Sequence, residues 1–306
     1  MHYGTDLVNN VVLTHPDGDH AGGLRTILEK MRVDTLWMHR PWEHVTDLLG
    51  FFPGVASASY LRRVLREGFP NLVALEEIAL RRGIPILSPF QGAKIGAFTV
   101  LAPSYSRYLH LVARSDCTPA STLKTSPTLT QLLGKALAHV RAFVQASWGA
   151  ESFSPEGVSP ANEMSVVQFA RIAGEKILLT ADAGREALTE AIAFAPYAGL
   201  DLPGISRFQV PHHGSRRNVS TALLDQLLGV RLPSQVFIPT FTAVISAAKA
   251  DPDHPRRAVV RAMWHRGAKV VSTEFGNLRT SSSAAPLRAG YSAATILPYP
   301  ADQEGE

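Results

Sequence analysis

Apolar positions along this chain fall repeatedly into short runs that end in polar turns and are followed by helical spacing. Val11-Val12-Leu13 is the first such run, and it reads as a buried strand. Leu24 to Met31 then has helical spacing, with the helix start predicted at Gly22-Gly23. Thr35 to Met38 reads as a strand. Tyr60 to Arg66 and Leu72 to Arg82 read as amphipathic helices with arginine on the wet face. Ile84 to Leu87 and Lys94 to Ala102 read as strands around a Gln91-Gly92 turn. Strand periodicity returns at Ser165 to Ala170, Lys176 to Thr180, Arg207 to Val210, Gln235 to Ile238, Ala243 to Ile245 and Lys269 to Ser272. Helical spacing fills Ala183 to Phe194, Thr221 to Leu228 and Arg256 to Trp264. A last strand is expected at Ala293 to Leu297. The alternation predicts an α/β protein. Residues 115–160 are rich in Ser, Thr, Pro and Ala around one expected helix, Leu132 to Trp148. They read as an insertion within a single domain.

Composition narrows the function classes. Hydrophobic residues make up 45% of the 306, which supports a substantial core. One cysteine, Cys117, excludes an internal disulfide and a cysteine-rich metal site. The formal charge of +4 favours an anionic substrate only weakly. The longest apolar stretch, Val236 to Ala248, is broken by Pro239 and is too short to span a bilayer. No secretory signal is visible at Met1, so a cytoplasmic location is expected.

The polar turn after the first strand carries the densest chemistry. In Thr14-His15-Pro16-Asp17-Gly18-Asp19-His20, four candidate metal ligands fall within six residues. His15 and Asp17 can face one metal ion while Asp19 and His20 face a neighbour. Imidazole and carboxylate without cysteine suit Zn²⁺, Mn²⁺ or Fe, with Zn²⁺ the default.

This H-x-D-x-D-H loop resembles the H-x-H-x-D-H signature of the metallo-β-lactamase fold hydrolases, with Asp17 in place of the second His. The variant is similar to the hydrolase domain of ComEC-type competence proteins. The resemblance implies a metallo-β-lactamase-like αββα sandwich. It also implies several strands ahead of the loop, where this sequence has only fourteen residues, so the first strands are expected to be missing. Further segments match in order. Lys176 to Ala183 resembles the family strand ending T-G-D, which makes Asp182 the ligand bridging two metals. Ala181 stands there for the usual Gly, a change tolerated if the backbone does not need positive φ. Pro211-His212-His213-Gly214-Ser215 resembles the family's H-H-G-S segment. One imidazole of the pair completes the second metal site, His212 being favoured, while Gly214 and Ser215 offer donors to a developing oxyanion. Ser246 and His254-Pro255 match a fourth segment, in which His254 is expected to donate a proton to the leaving group. Asp251 and Asp253 are read as turn and helix-cap residues.

The resemblance thus implies a binuclear Zn²⁺ site, with Mn²⁺ an alternative, in which strand ends far apart in sequence converge on one pocket. Its first site is thin, with only His15, Asp17, Asp182 and water. His39, His44, His110 and His139 sit in unmatched contexts and read as surface or packing residues. A metal-activated water oriented by Asp19 would hydrolyse a phosphodiester or nucleic acid, with Arg216 and Arg217 as a phosphate clamp. The rival readings are a small-molecule (thio)ester hydrolase, a non-catalytic or truncated binding protein of the same fold, and a nucleic-acid binder using Arg62, Arg63, Arg66, Arg81 and Arg82.

Overall fold

A computed structural model describes residues 5–55, 57–116, 143–235, 238–281, 285, 289–290 and 292–305. The chain divides into two units, Met1–Ser126 with Ser159–Val166, and Pro127–Val158 with Val167–Glu306. The architecture is mixed α/β.

In the first unit, β1 (Leu7–Val12), β2 (Arg32–Trp37) and β3 (Ile86–Leu87) form a parallel sheet in that order. Val12 lies opposite Trp37, and Leu36 opposite Ile86. The helix Gly18–Lys30 connects β1 to β2. Two amphipathic helices follow, Ala58–Gly68 and Pro70–Arg81. Ser57 caps the first by accepting from the Tyr60 amide, and Pro70 opens the second at a position where no amide donor is needed. Their inward faces bury Leu61, Leu65, Leu72, Leu75 and Ile78 in one cluster with Leu13, Leu28 and Leu36. A helix that periodicity did not announce, Tyr105–Arg114, buries Tyr108, Leu109, Leu111 and Val112.

The arginines of these helices are partly committed to the fold. Buried Glu76 accepts from Trp42 and Arg40, each at 3.0 Å, and also from Arg66. Arg82 donates to the Leu28 carbonyl at 2.7 Å. Two of the five arginines proposed for nucleic-acid contact are therefore structural ties.

In the second unit, β7 (Val167–Ile172) and β8 (Glu175–Leu179) form an antiparallel hairpin. Ala173 and Gly174 turn it with φ of 50° and 81°, both positive as a tight hairpin requires. From β8 the pairing is parallel through β9 (Arg207–Gln209), β10 (Phe241–Ile245) and β11 (Ala268–Ser272). Helices Arg185–Phe194, Thr221–Leu228 and Arg257–His265 make the connections between successive parallel strands. A separate antiparallel pair joins β6 (Phe143–Gln145) to β12 (Asp302–Glu304). Buried Arg261 ties this pair down by donating to the carbonyls of Pro300, Ala146 and Ser147. Glu304 accepts from the Arg257 and Ala258 amides, at 2.9 and 3.0 Å, and so caps that helix.

Several expectations are corrected. Residues 94–102 form a hairpin of β4 (Lys94–Ile95) and β5 (Phe98–Ala102), turned at Gly96, and do not pair with Ile86–Leu87. The expected last strand is reduced to one bridge, Ile296 to Val271, while the strand proper lies at β12. The helix expected at Leu132 to Trp148 fails over its end, where Phe143–Gln145 is a strand. Its beginning lies outside the described residues, as do Cys117 and His139. The Gln235 to Ile238 strand is not seen at Gln235 or Ile238, and 236–237 lie outside the described residues. No helix among the described residues is long and apolar enough to cross a membrane.

Candidate functional site

The described residues include His/Asp clusters able to hold a metal ion. Of their members, His15, Asp19 and His20 belong to the first unit and follow the C-terminal end of β1, where parallel sheets present their chemistry. The helix begins at Gly18, not at Gly22-Gly23, with Asp17 as its N-cap residue. Asp19 and His20 therefore occupy the first helical turn, where the positive end of the helix favours carboxylates. His15 Nε2 lies 3.7 Å from Asp17 Oδ2, and His20 Nε2 lies 3.5 Å from Asp19 Oδ2. The two imidazole centroids are 4.2 Å apart. Two donors on one tetrahedral zinc, with bonds of ~2.1 Å, stand ~3.4 Å apart, so these spacings fit a metal.

Asn71 was not singled out by sequence reasoning. Its amide donates to the Pro16 carbonyl at 3.1 Å and accepts from Arg25, which pins the ligand loop to the helix that Pro70 opens.

In the second unit, Asp182 follows β8, and the histidine pair follows β9. Thr180 donates its hydroxyl to the Gln209 carbonyl at 2.7 Å, and Gln209 Oε1 accepts from the Thr180 amide at 3.0 Å. Asn218 donates to the Asp182 and Ala183 carbonyls. Asp182 is buried but is not a helix cap, because Gly184 holds that position.

Three non-glycine residues of this region adopt left-handed backbone: Ala181 at φ 47°, His212 at 45° and His213 at 56°. The tolerance condition for Ala181 therefore fails. An L-residue there costs about 1–2 kcal/mol, and strain of this kind gathers at functional sites. Ala181→Gly should raise stability by about 0.5–1 kcal/mol after the extra unfolded-state entropy of glycine is deducted. A urea midpoint at or below the wild-type value would contradict this.

Asp182 Oδ2 and His212 Nδ1 are 2.7 Å apart, a direct charge-assisted hydrogen bond rather than the wider spacing of two zinc ligands. His213 Nδ1 contacts the Ser246 carbonyl at 2.5 Å. Donation from Nδ1 to a backbone carbonyl is how metal-binding imidazoles are commonly oriented, with Nε2 as the ligand atom. His254 Nδ1 is 3.0 Å from Asp251 Oδ2, and its ring centroid lies 5.8 Å from that of His212. Asp251 thus does more than make a turn, although its other oxygen does accept from the Asp253 amide. The helix-cap expectation for Asp253 is not met, since Arg256 holds the N-cap position and Glu304 covers the first amides. Burial lowers the His254 pKa against the raising effect of Asp251, with the His212 and Arg256 charges lowering it further. A neutral imidazole whose Nδ1–H faces Asp251 is better suited to accept a proton than to donate one.

The oxyanion expectation is not supported. The Gly214 amide donates to Pro211 and the Ser215 amide to His212, so both are consumed within the turn. Ser215 Oγ accepts from the Arg217 amide at 3.3 Å. Gly214 is required for another reason, because at φ 86° its Cβ would stand 2.9 Å from Pro255 Cβ. Nor do the two arginines form an open clamp. Arg216 donates to the Gly305 carbonyl, and Arg217 pairs with Glu156.

Of the histidines set aside, His39 and His44 are in the first unit and pack in an aromatic group with Phe90 and Tyr108. Burial, then the nearby His44 charge, lowers the His39 pKa to about 3. Compared with protein-family models and with curated proteins, the chain matches none.

Proposed function

We propose that this chain is a metal-dependent hydrolase with a metallo-β-lactamase-like sandwich, acting on phosphodiesters or nucleic acid. Its zinc ligands are His15, Asp17, Asp19, His20, Asp182 and His213. The observation that carries the reading is chemical: each ligand group lies just beyond the end of a parallel strand, in the order the sequence resemblance requires. The orienting contact of His213 Nδ1 with Ser246 favours His213 over His212 as ligand. Bound zinc supplies a water acidified towards neutral pH and polarises the scissile group. Asp19 would orient that water. His212, held on Asp182, contacts substrate, and His254, held on Asp251, takes up or returns a proton. With Arg216 and Arg217 engaged elsewhere, the phosphoester substrate rests on the sequence resemblance alone.

One observation favours a second reading. The 2.7 Å Asp182–His212 bond satisfies both groups without a metal, as a non-catalytic binding protein would need. The two readings separate in one experiment. Protein reconstituted with Zn²⁺ should retain about two ions per chain through desalting. It should hydrolyse bis-p-nitrophenyl phosphate, and Asp19→Ala should reduce turnover by about 100-fold. Metal-free protein with no turnover above background would sink the hydrolase.

A further inference from the structure

His39 follows β2 just as His15 follows β1, and these strands are parallel neighbours, with the Leu13 amide donating to the Trp37 carbonyl at 2.9 Å. Both imidazoles line one small cavity, together with Thr14, Leu13, Phe69 and Tyr108. Its volume is about 10 Å³, room for about one water molecule. The His39 ring is buried, and neither of its nitrogens has a hydrogen-bond partner among the described residues. Buried polar atoms nearly always find a partner, so this ring calls for one within the cavity. On the His15 side, Nδ1 lies 3.1 Å from Thr14 Oγ1, and Nε2 is on the Asp17 side.

We propose that His39 is a positioning residue for the metal ligand His15. A water in the shared cavity connects a His39 nitrogen to the Thr14 hydroxyl, and that hydroxyl accepts the His15 Nδ1–H. The relay fixes the tautomer of His15 and turns its Nε2 toward the metal, the task that outer partners of ligating histidines perform. This inference rests on the metal-centre reading above. It adds a residue that the sequence had assigned to packing.

His39→Phe keeps the ring and removes both nitrogens, and His39→Gln keeps hydrogen-bonding capacity. Thr14→Val breaks the relay at its middle. Zinc affinity is read by competition with a chromophoric chelator, and the fold by the Tm of metal-free protein. His39→Phe should weaken zinc about tenfold while leaving the metal-free Tm unchanged or higher. His39→Gln should recover part of that loss. Thr14→Val should reproduce it, and the double variant should be no worse than either single. Unchanged zinc affinity in His39→Phe, with or without a lower Tm, marks a packing role and overturns the proposal. Losses that add in the double variant overturn the relay as well. A wild-type protein that binds no zinc would remove the metal centre itself and this inference with it.

Discussion

Glu151→Ala should cost the second unit about 3–5 kcal/mol, the range expected when one partner of a buried ion pair is removed. Glu151 and Arg266 have nearly inaccessible side chains, and the Arg266 guanidinium meets both carboxylate oxygens, at 2.6 and 3.3 Å. His265 Nδ1 lies 3.0 Å from the same carboxylate, and the Thr221 hydroxyl donates to it at 2.6 Å. The Gly149 amide donates to His265 Nε2, so the proton sits on Nδ1 and points at Glu151. Alanine would leave Arg266 with Asp225 as its one carboxylate partner among the described residues, beside the Ala262 and Thr221 carbonyls, and would remove the carboxylate facing His265 Nδ1. The carboxylate also carries a pH signature. Burial alone would raise its pKa, but the His265, Arg266 and Thr221 hydrogen bonds outweigh burial and bring it to about 2. The folded value is depressed, so this stabilisation is complete above the unfolded pKa near 4.5 and disappears as pH falls toward 2. Urea denaturation at pH 7 and pH 3 checks both points. A pH 7 loss below about 1 kcal/mol would show that the network is dispensable.

The second large effect belongs to His39. Its folded pKa of about 3 lies well below the ordinary 6.5. Between those values the unfolded chain takes up a proton that the folded chain refuses. Stability is therefore fully present above pH 6.5 and falls by about 1.4 kcal/mol per pH unit below it, to a loss of about 2 kcal/mol at pH 5. The facing groups, His44, Phe90 and Tyr108, offer no anion to offset this. His39→Phe should flatten the stability profile of metal-free protein between pH 7 and 5 by one proton's worth of slope. Equal slopes in variant and wild type would show that His39 titrates normally.

What could be read from the sequence followed physical range. The His/Asp loop was legible as a candidate site because its chemistry is local: four candidate ligands, two His and two Asp, within six residues, behind an apolar run. Most elements of the second unit were legible because each buries one periodic face, and Thr221–Leu228 is met residue for residue. Groups defined by distant partners were not legible. Asp251 looked like a turn residue because its partner, His254, is identified only by orientation. Asn71 gives no signal until its amide meets Pro16. Arg216 and Arg217 looked free because their acceptors, Gly305 and Glu156, lie far away in sequence. The helix start was misplaced because Gly22-Gly23 suggested an entry point, whereas the helix runs straight through both. Ala181 hid a left-handed conformation that alanine does not advertise.

The β6–β12 pair sets an order of events on the ribosome. Gln145 emerges long before Asp302, its partner across the ladder. Until then Arg261 lacks its Pro300 acceptor, and the first turn of the helix beginning at Arg257 has no Glu304 to cover its amides. Nascent chains arrested before that point should expose this edge to chaperones, and the late-arriving segment acts as the clasp that ends their vulnerability.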